Sequence, residues 1–124
     1  RLLNLANSRF VATIVGSGTV ANEVMFGMVK SVFPKQQGLI VSNGEFGERL
    51  IYQAKHWELT FVQKSYDWGA AFNLAEIEAM FIENDIRWLA FVHGETSTGT
   101  LNPLHNLIQL CQKYNVKLCV DCIS

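Results

Sequence analysis

The sequence predicts an α/β fold, a three-layer sandwich built on a mainly parallel sheet. Three observations lead there. Several runs are short and apolar at every position, as strands covered on both faces must be. The segments between them carry apolar residues at helical spacing. Turn and stop residues separate the two kinds, and only two prolines occur in 124 residues, each at a helix boundary.

The first expected strand is Phe10–Val15, β-branched and ended by Gly16. A helix follows from about Thr19, with Val20, Val24, Met25, Met28, Val29 and Val32 on one face, and Pro34 stops it. Leu39–Ser42 is the second strand, closed by Asn43-Gly44. Phe46, Leu50, Ile51, Ala54 and Trp57 mark the second helix. Leu59–Val62 is the third strand. Asn73 with Glu76 three residues later reads as a helix start. Trp88–Val92 is the fourth strand. Asn102-Pro103 reads as an N-cap followed by proline at the first helical position, opening a helix that buries Leu104, Leu107, Ile108, Cys111 and Tyr114. Lys117–Val120 is the last strand. The pattern is βαβαβαβαβ, and right-handed crossovers put every strand-to-helix loop at one end of the sheet. Ligands bind at that end in open α/β sheets.

Composition narrows the function. Half the chain (49%) is hydrophobic and only 17% is charged, which excludes a disordered segment. Ten Lys and Arg against eleven Asp and Glu leave a net charge of −1, too little for a nucleic-acid partner held by a basic field. No apolar run approaches the roughly 20 residues that span a bilayer. Three cysteines in a core-rich chain fit a reducing cytoplasm better than a disulfide scaffold. Cys119 and Cys122 are spaced as C-x-x-C, but an expected strand points them to opposite faces. His56, His93 and His105 show no metal-ligand spacing, so no metal site is expected.

The loops at the ligand end hold the chemistry. Gly16-Ser17-Gly18-Thr19 opens a helix, where glycines admit an anion and free N–H groups meet it. The same residues suit a tight turn with Thr19 as N-cap. With Ala21 they also match the G-x-G-x-x-A dinucleotide fingerprint, which needs an acid closing the second strand. That strand ends in Ser42-Asn43, and the nearest acid is Glu45. Asp121 ends an apolar strand, so its carboxylate needs a cation or several donors: a pyridinium or a metal would serve, or the Asp simply caps the next segment. Phe46 could stack on a planar ligand or belong to the core.

Four segments together resemble one family. Gly16-Ser17-Gly18-Thr19-Val20-Ala21-Asn22-Glu23 is similar to the phosphate loop of class V aminotransferases, pyridoxal-phosphate enzymes of fold type I. Asn43-Gly44-Glu45-Phe46-Gly47-Glu48-Arg49 resembles their N-G-x-aromatic-G-x-R segment. Glu95-Thr96-Ser97-Thr98-Gly99 through Pro103 resembles E-[ST]-[ST]-T-G-x-x-x-P. Val120-Asp121 followed by Ser124 resembles V-D-x-x-S. Within the family the likeness leans toward transaminases of 2-aminoethylphosphonate with pyruvate and of alanine or serine with glyoxylate.

The resemblance implies pyridoxal 5'-phosphate as cofactor, with Ser17, Gly18 and Thr19 on its phosphate, Phe46 on its ring, Thr96 near its phenolic oxygen and Asp121 on its ring nitrogen. It implies a small-molecule amino donor, a 2-oxo acid acceptor, a cytoplasmic homodimer, and no nucleic-acid or membrane partner. Residues 1–124 would be part of the large cofactor-binding domain. The resemblance puts the Schiff-base lysine on a later strand and the substrate arginine in a small C-terminal domain, so no catalytic residue and no turnover are expected from these 124 residues alone. The first strand would then lack a neighbour. The alternatives are a nicotinamide-dinucleotide-binding domain and a truncated, non-catalytic α/β domain.

Overall fold

A computed structural model describes residues 15–123. The expected first strand lies outside these residues apart from Val15, which belongs to no strand. Helix α1 spans Gly18–Val32, strand β1 Gly38–Ser42, α2 Glu45–His56, β2 Phe61–Ser65, α3 Leu74–Glu83 and β3 Trp88–Val92. A small hairpin of β4 (Gly94–Glu95) and β5 (Thr100–Leu101) follows, then α4 (Leu104–Tyr114) and β6 (Lys117–Asp121). The hairpin went unforeseen because two-residue strands carry no periodicity.

Among the described residues four strands form one sheet in the order β2-β1-β3-β6, and every pairing in it is parallel. The three layers follow from strand alternation. Leu39 and Val41 of β1, with Leu89 and Phe91 of β3, pack under α3 and α4 against Ile77, Phe81, Leu107 and Cys111. Ile40, with Trp88, Ala90 and Val92, packs on the other face against Phe26 and Val29 of α1 and Leu50, Ile51 and Ala54 of α2. Both central strands are buried at all five positions, which explains their unbroken apolar sequence. Gly38 is glycine because the Trp88 indole lies over it: an added Cβ would sit 2.0 Å from Trp88 Cε2.

Three local expectations are corrected. The third strand begins at Phe61 and runs to Ser65, two residues later than the apolar run. Glu58 at φ 52° turns the chain, Leu59 N–H donates to Ala54 C=O at 3.0 Å, and Leu59 goes into the α1–α2 core instead of the ladder. Helix α1 begins at Gly18 with Ser17 at the N-cap, so Thr19 does not cap it. Pro103, not Asn102, occupies the N-cap position of α4. The Asn102 amide is instead buried between loops. The Asn73 expectation holds: its side chain accepts from the N–H groups of Ala75 and Glu76.

Candidate active site

A cavity of about 400 Å3 opens at the C-terminal ends of β3 and β6, between the N-terminal ends of α1 and α2. Of the six expected site residues, Gly18, Thr19, Phe46 and Asp121 line it. Ser17 adjoins them at the α1 N-cap. Thr96 is exposed in the turn of the β4–β5 hairpin, two residues beyond the lining residue Gly94.

Among the described residues no side chain caps the α1 end. Ser17 is extended and its side chain makes no cap bond. The first turn holds no acidic residue, and the first bond at this end runs from Ala21 N–H to Ser17 C=O at 3.1 Å. The N–H groups of Gly18, Thr19 and Val20 therefore stand ahead of the bonded ladder, with the positive end of the helix dipole behind them. Helix α2 holds this end in place. Gln53 Nε2 donates to Thr19 C=O at 3.1 Å and to Glu23 Oε1 at 2.8 Å, and Trp57 Nε1 donates to Glu23 Oε2.

Asp121 also lines the cavity and is 7% exposed. Its Oδ1 accepts from Ile123 N–H at 3.1 Å and its Oδ2 from Asn22 Nδ2 at 2.7 Å. Among the described residues no Lys, Arg or His pairs with it. Phe46 is half-buried: it packs on the α1–α2 core and also lines the cavity, with the Arg49 guanidinium 5.0 Å from its ring centroid.

Sequence reasoning missed Glu95. It is fully buried, and its carboxylate accepts from Phe46 N–H at 3.3 Å, Gly47 N–H at 3.0 Å and Ser97 N–H at 3.3 Å. It thus caps α2 from the hairpin and fixes the residue that carries the Phe46 ring. The approach is so close that a Cβ on Gly44 would lie 2.5 Å from Glu95 Cγ. The Asn43–Asn102 pair was missed too. Each amide donates to the other, at 2.8 and 3.1 Å, while Asn43 also donates to Ala70 C=O and Asn102 to Val92 C=O. No buried side-chain N or O among the described residues is left without a partner. Glu95 sits inside the expected loop motif, which is its one available signal; nothing in the sequence shows that this side chain turns inward while its neighbours Thr96 and Ser97 stay exposed.

The dinucleotide alternative loses its last support here. Ser42, which ends β1, bonds Glu48 and Ser65, and Glu45 is paired with Arg49 at 2.9 Å. The cysteines form no reactive pair: all three are free, and burial pushes the Cys119 thiol up to about 11 and the Cys111 thiol to about 12. Among the described residues no three metal-ligating side chains converge.

The residues fit a flat, anionic, nitrogen-bearing ring. A helix end without a side-chain cap suits a phosphate, an aromatic wall suits a ring, and a buried carboxylate that no cation among the described residues pairs with suits a protonated ring nitrogen. Comparison with known proteins agrees. The family described as Aminotransferase class-V matches residues 1–124. The 2-aminoethylphosphonate–pyruvate transaminase of Phocaeicola vulgatus is 34% identical over 110 residues, 88% of this chain and 30% of that protein. That of Bacillus mycoides is 31% identical over 130 residues, all of this chain and 35% of that protein. Among solved structures, the alanine–glyoxylate aminotransferase of a Nostoc species superposes with a TM-score of 0.77 at 34% identity, covering 87% of this chain and 28% of that one. The ureidoglycine–glyoxylate aminotransferase of Bacillus subtilis gives 0.81 at 27%, covering 93% and 29%. The chain spans about a third of the length of the curated relatives it matches. It belongs to the class V aminotransferase family.

Proposed function

We propose that this chain is the cofactor cradle of a pyridoxal-phosphate transaminase. The protein would move an amino group from a small amine or amino acid (2-aminoethylphosphonate, serine or alanine) to a 2-oxo acid (pyruvate or glyoxylate). One observation carries the reading: a helix end without a side-chain cap and a buried carboxylate that no cation among the described residues pairs with line one cavity. The names of the relatives support the substrate classes.

In this reading Ser17, Gly18 and Thr19 hold the cofactor phosphate with N–H and hydroxyl donors. Phe46 lies on the ring and fixes its plane. Asp121 accepts the proton-bearing ring nitrogen. Thr96 bonds near the phenolic oxygen. When bound, pyridoxal phosphate supplies an electron sink for the substrate carbon that loses its proton. The residues described above bind and orient and move no proton; the attaching lysine and the small domain belong to the further length that the relatives have. The chain is then part of the large domain of a cytoplasmic homodimer. No helix of the described residues is long and apolar enough to cross a membrane.

The test is absorbance of the full-length protein with pyridoxal phosphate, before and after borohydride. The reading expects a visible band that borohydride removes and that Asp121→Ala shifts or weakens. A well-folded protein without such a band would overturn it.

A further inference from the structure

Among the described residues the Asp121 carboxylate is held by one backbone N–H and one side chain, and that side chain lies 99 residues away in sequence, on α1. Asn22 Nδ2 reaches Asp121 Oδ2 at 2.7 Å. A carboxylate at the end of a strand turns about its last torsion unless something fixes it. An ionised carboxylate only accepts, so Asn22 must present its NH2 group to it. Asn22 lies one turn beyond Gly18 in α1, whose open end faces the same cavity. The helix itself is anchored elsewhere, through Thr19 and Glu23 to Gln53 of α2 and Trp57 at its C-cap. Asn22 takes no part in that anchor.

We infer that Asn22 is a positioning residue: through its bond to Asp121 it sets the direction in which the carboxylate meets a ring nitrogen, without holding the phosphate. The inference rests on the proposed cofactor. Asn22 also puts both grips on one rigid element, since α1 offers its N–H groups at one end and fixes the carboxylate one turn later.

Two ligands separate this role from simple support of the helix. Pyridoxine 5'-phosphate carries the ring nitrogen and the phosphate but has no aldehyde to react with a lysine. Benzyl phosphate carries the phosphate on a ring without nitrogen. Dissociation constants for both are measured on the full-length protein freed of cofactor, as wild type, Asn22→Leu and Asn22→Ala. Leucine keeps the volume and removes the donor; alanine is the best helix former and covers the case in which leucine disturbs packing. A lost bond to a charged group predicts about tenfold weaker pyridoxine phosphate binding, with benzyl phosphate unchanged. Equal weakening of both ligands, or of neither, would overturn the inference and leave the proposed cofactor standing. A wild-type protein that binds pyridoxine phosphate no better than benzyl phosphate would overturn both.

Discussion

Helices α1 and α2 both start beside the cavity, and their N-terminal ends are treated in opposite ways. The α2 end is closed by the protein: Glu95, fully buried, takes the N–H groups of Phe46 and Gly47. The α1 end is left open: Ser17 makes no cap bond and no acid lies in the first turn. Each helix end has the same orphan donors and the same dipole. At α2 those donors are spent on making the structure, and the result is a fixed Phe46. At α1 they remain available to an anion. Helix α3 is capped as well, by Asn73, whereas α4, with Pro103 at its N-cap position, has no side-chain cap but lies away from the cavity lining.

The contrast breaks most sharply at Glu95. Glu95→Ala strands buried donors at the α2 end and is expected to cost about 3 kcal/mol, read as a lower denaturant midpoint. Cofactor affinity falls with it, because Phe46 is released. Gly44→Ala attacks the same closure by crowding, with its Cβ 2.5 Å from Glu95 Cγ and 2.7 Å from Ser97 Oγ. Overpacking of this kind is expected to cost about 2 kcal/mol in the same measurement. Asn73→Ala removes an ordinary cap far from the cavity. A loss of about 1 kcal/mol is expected, with pyridoxine phosphate affinity unchanged in a titration. Ser17→Ala is the smallest in stability, under about 0.5 kcal/mol, because no cap bond is lost. It should nonetheless weaken phosphate ligands several-fold. A Ser17→Ala protein that loses stability but keeps its affinity would erase the distinction between the two helix ends.

Much of this was legible from residues close together in the chain. The fourth strand was read at its true bounds, Trp88–Val92, because a run buried on both faces is unmistakably apolar. The last was read one residue short, since Asp121 completes it. The Asn73 cap was legible because its partners lie two and three residues away. The third strand was misplaced where a left-handed Glu58 shifted the ladder, which periodicity does not record. Asn102 was read as a cap from its neighbour Pro103, whereas its amide is held by Asn43, 59 residues away. Among the expected site residues, Gly18, Thr19, Phe46 and Asp121 converge on the cavity, while Thr96 stands outside its lining.

The sequence by itself determined the succession of helices and main-sheet strands from α1 to β6, though not the β4–β5 hairpin, together with the burial of the sheet on both faces and the end of the sheet that carries polar loops. Those depend on spacings of two to four residues, which local sterics and periodic burial impose directly. Only the tertiary structure decided which polar groups close the protein's own donors and which face the cavity. Glu95 meets Gly47 across 48 residues, and Asn22 meets Asp121 across 99. Such pairings are selected by how the layers pack, because a buried polar group must find a partner wherever the fold brings one within hydrogen-bond reach.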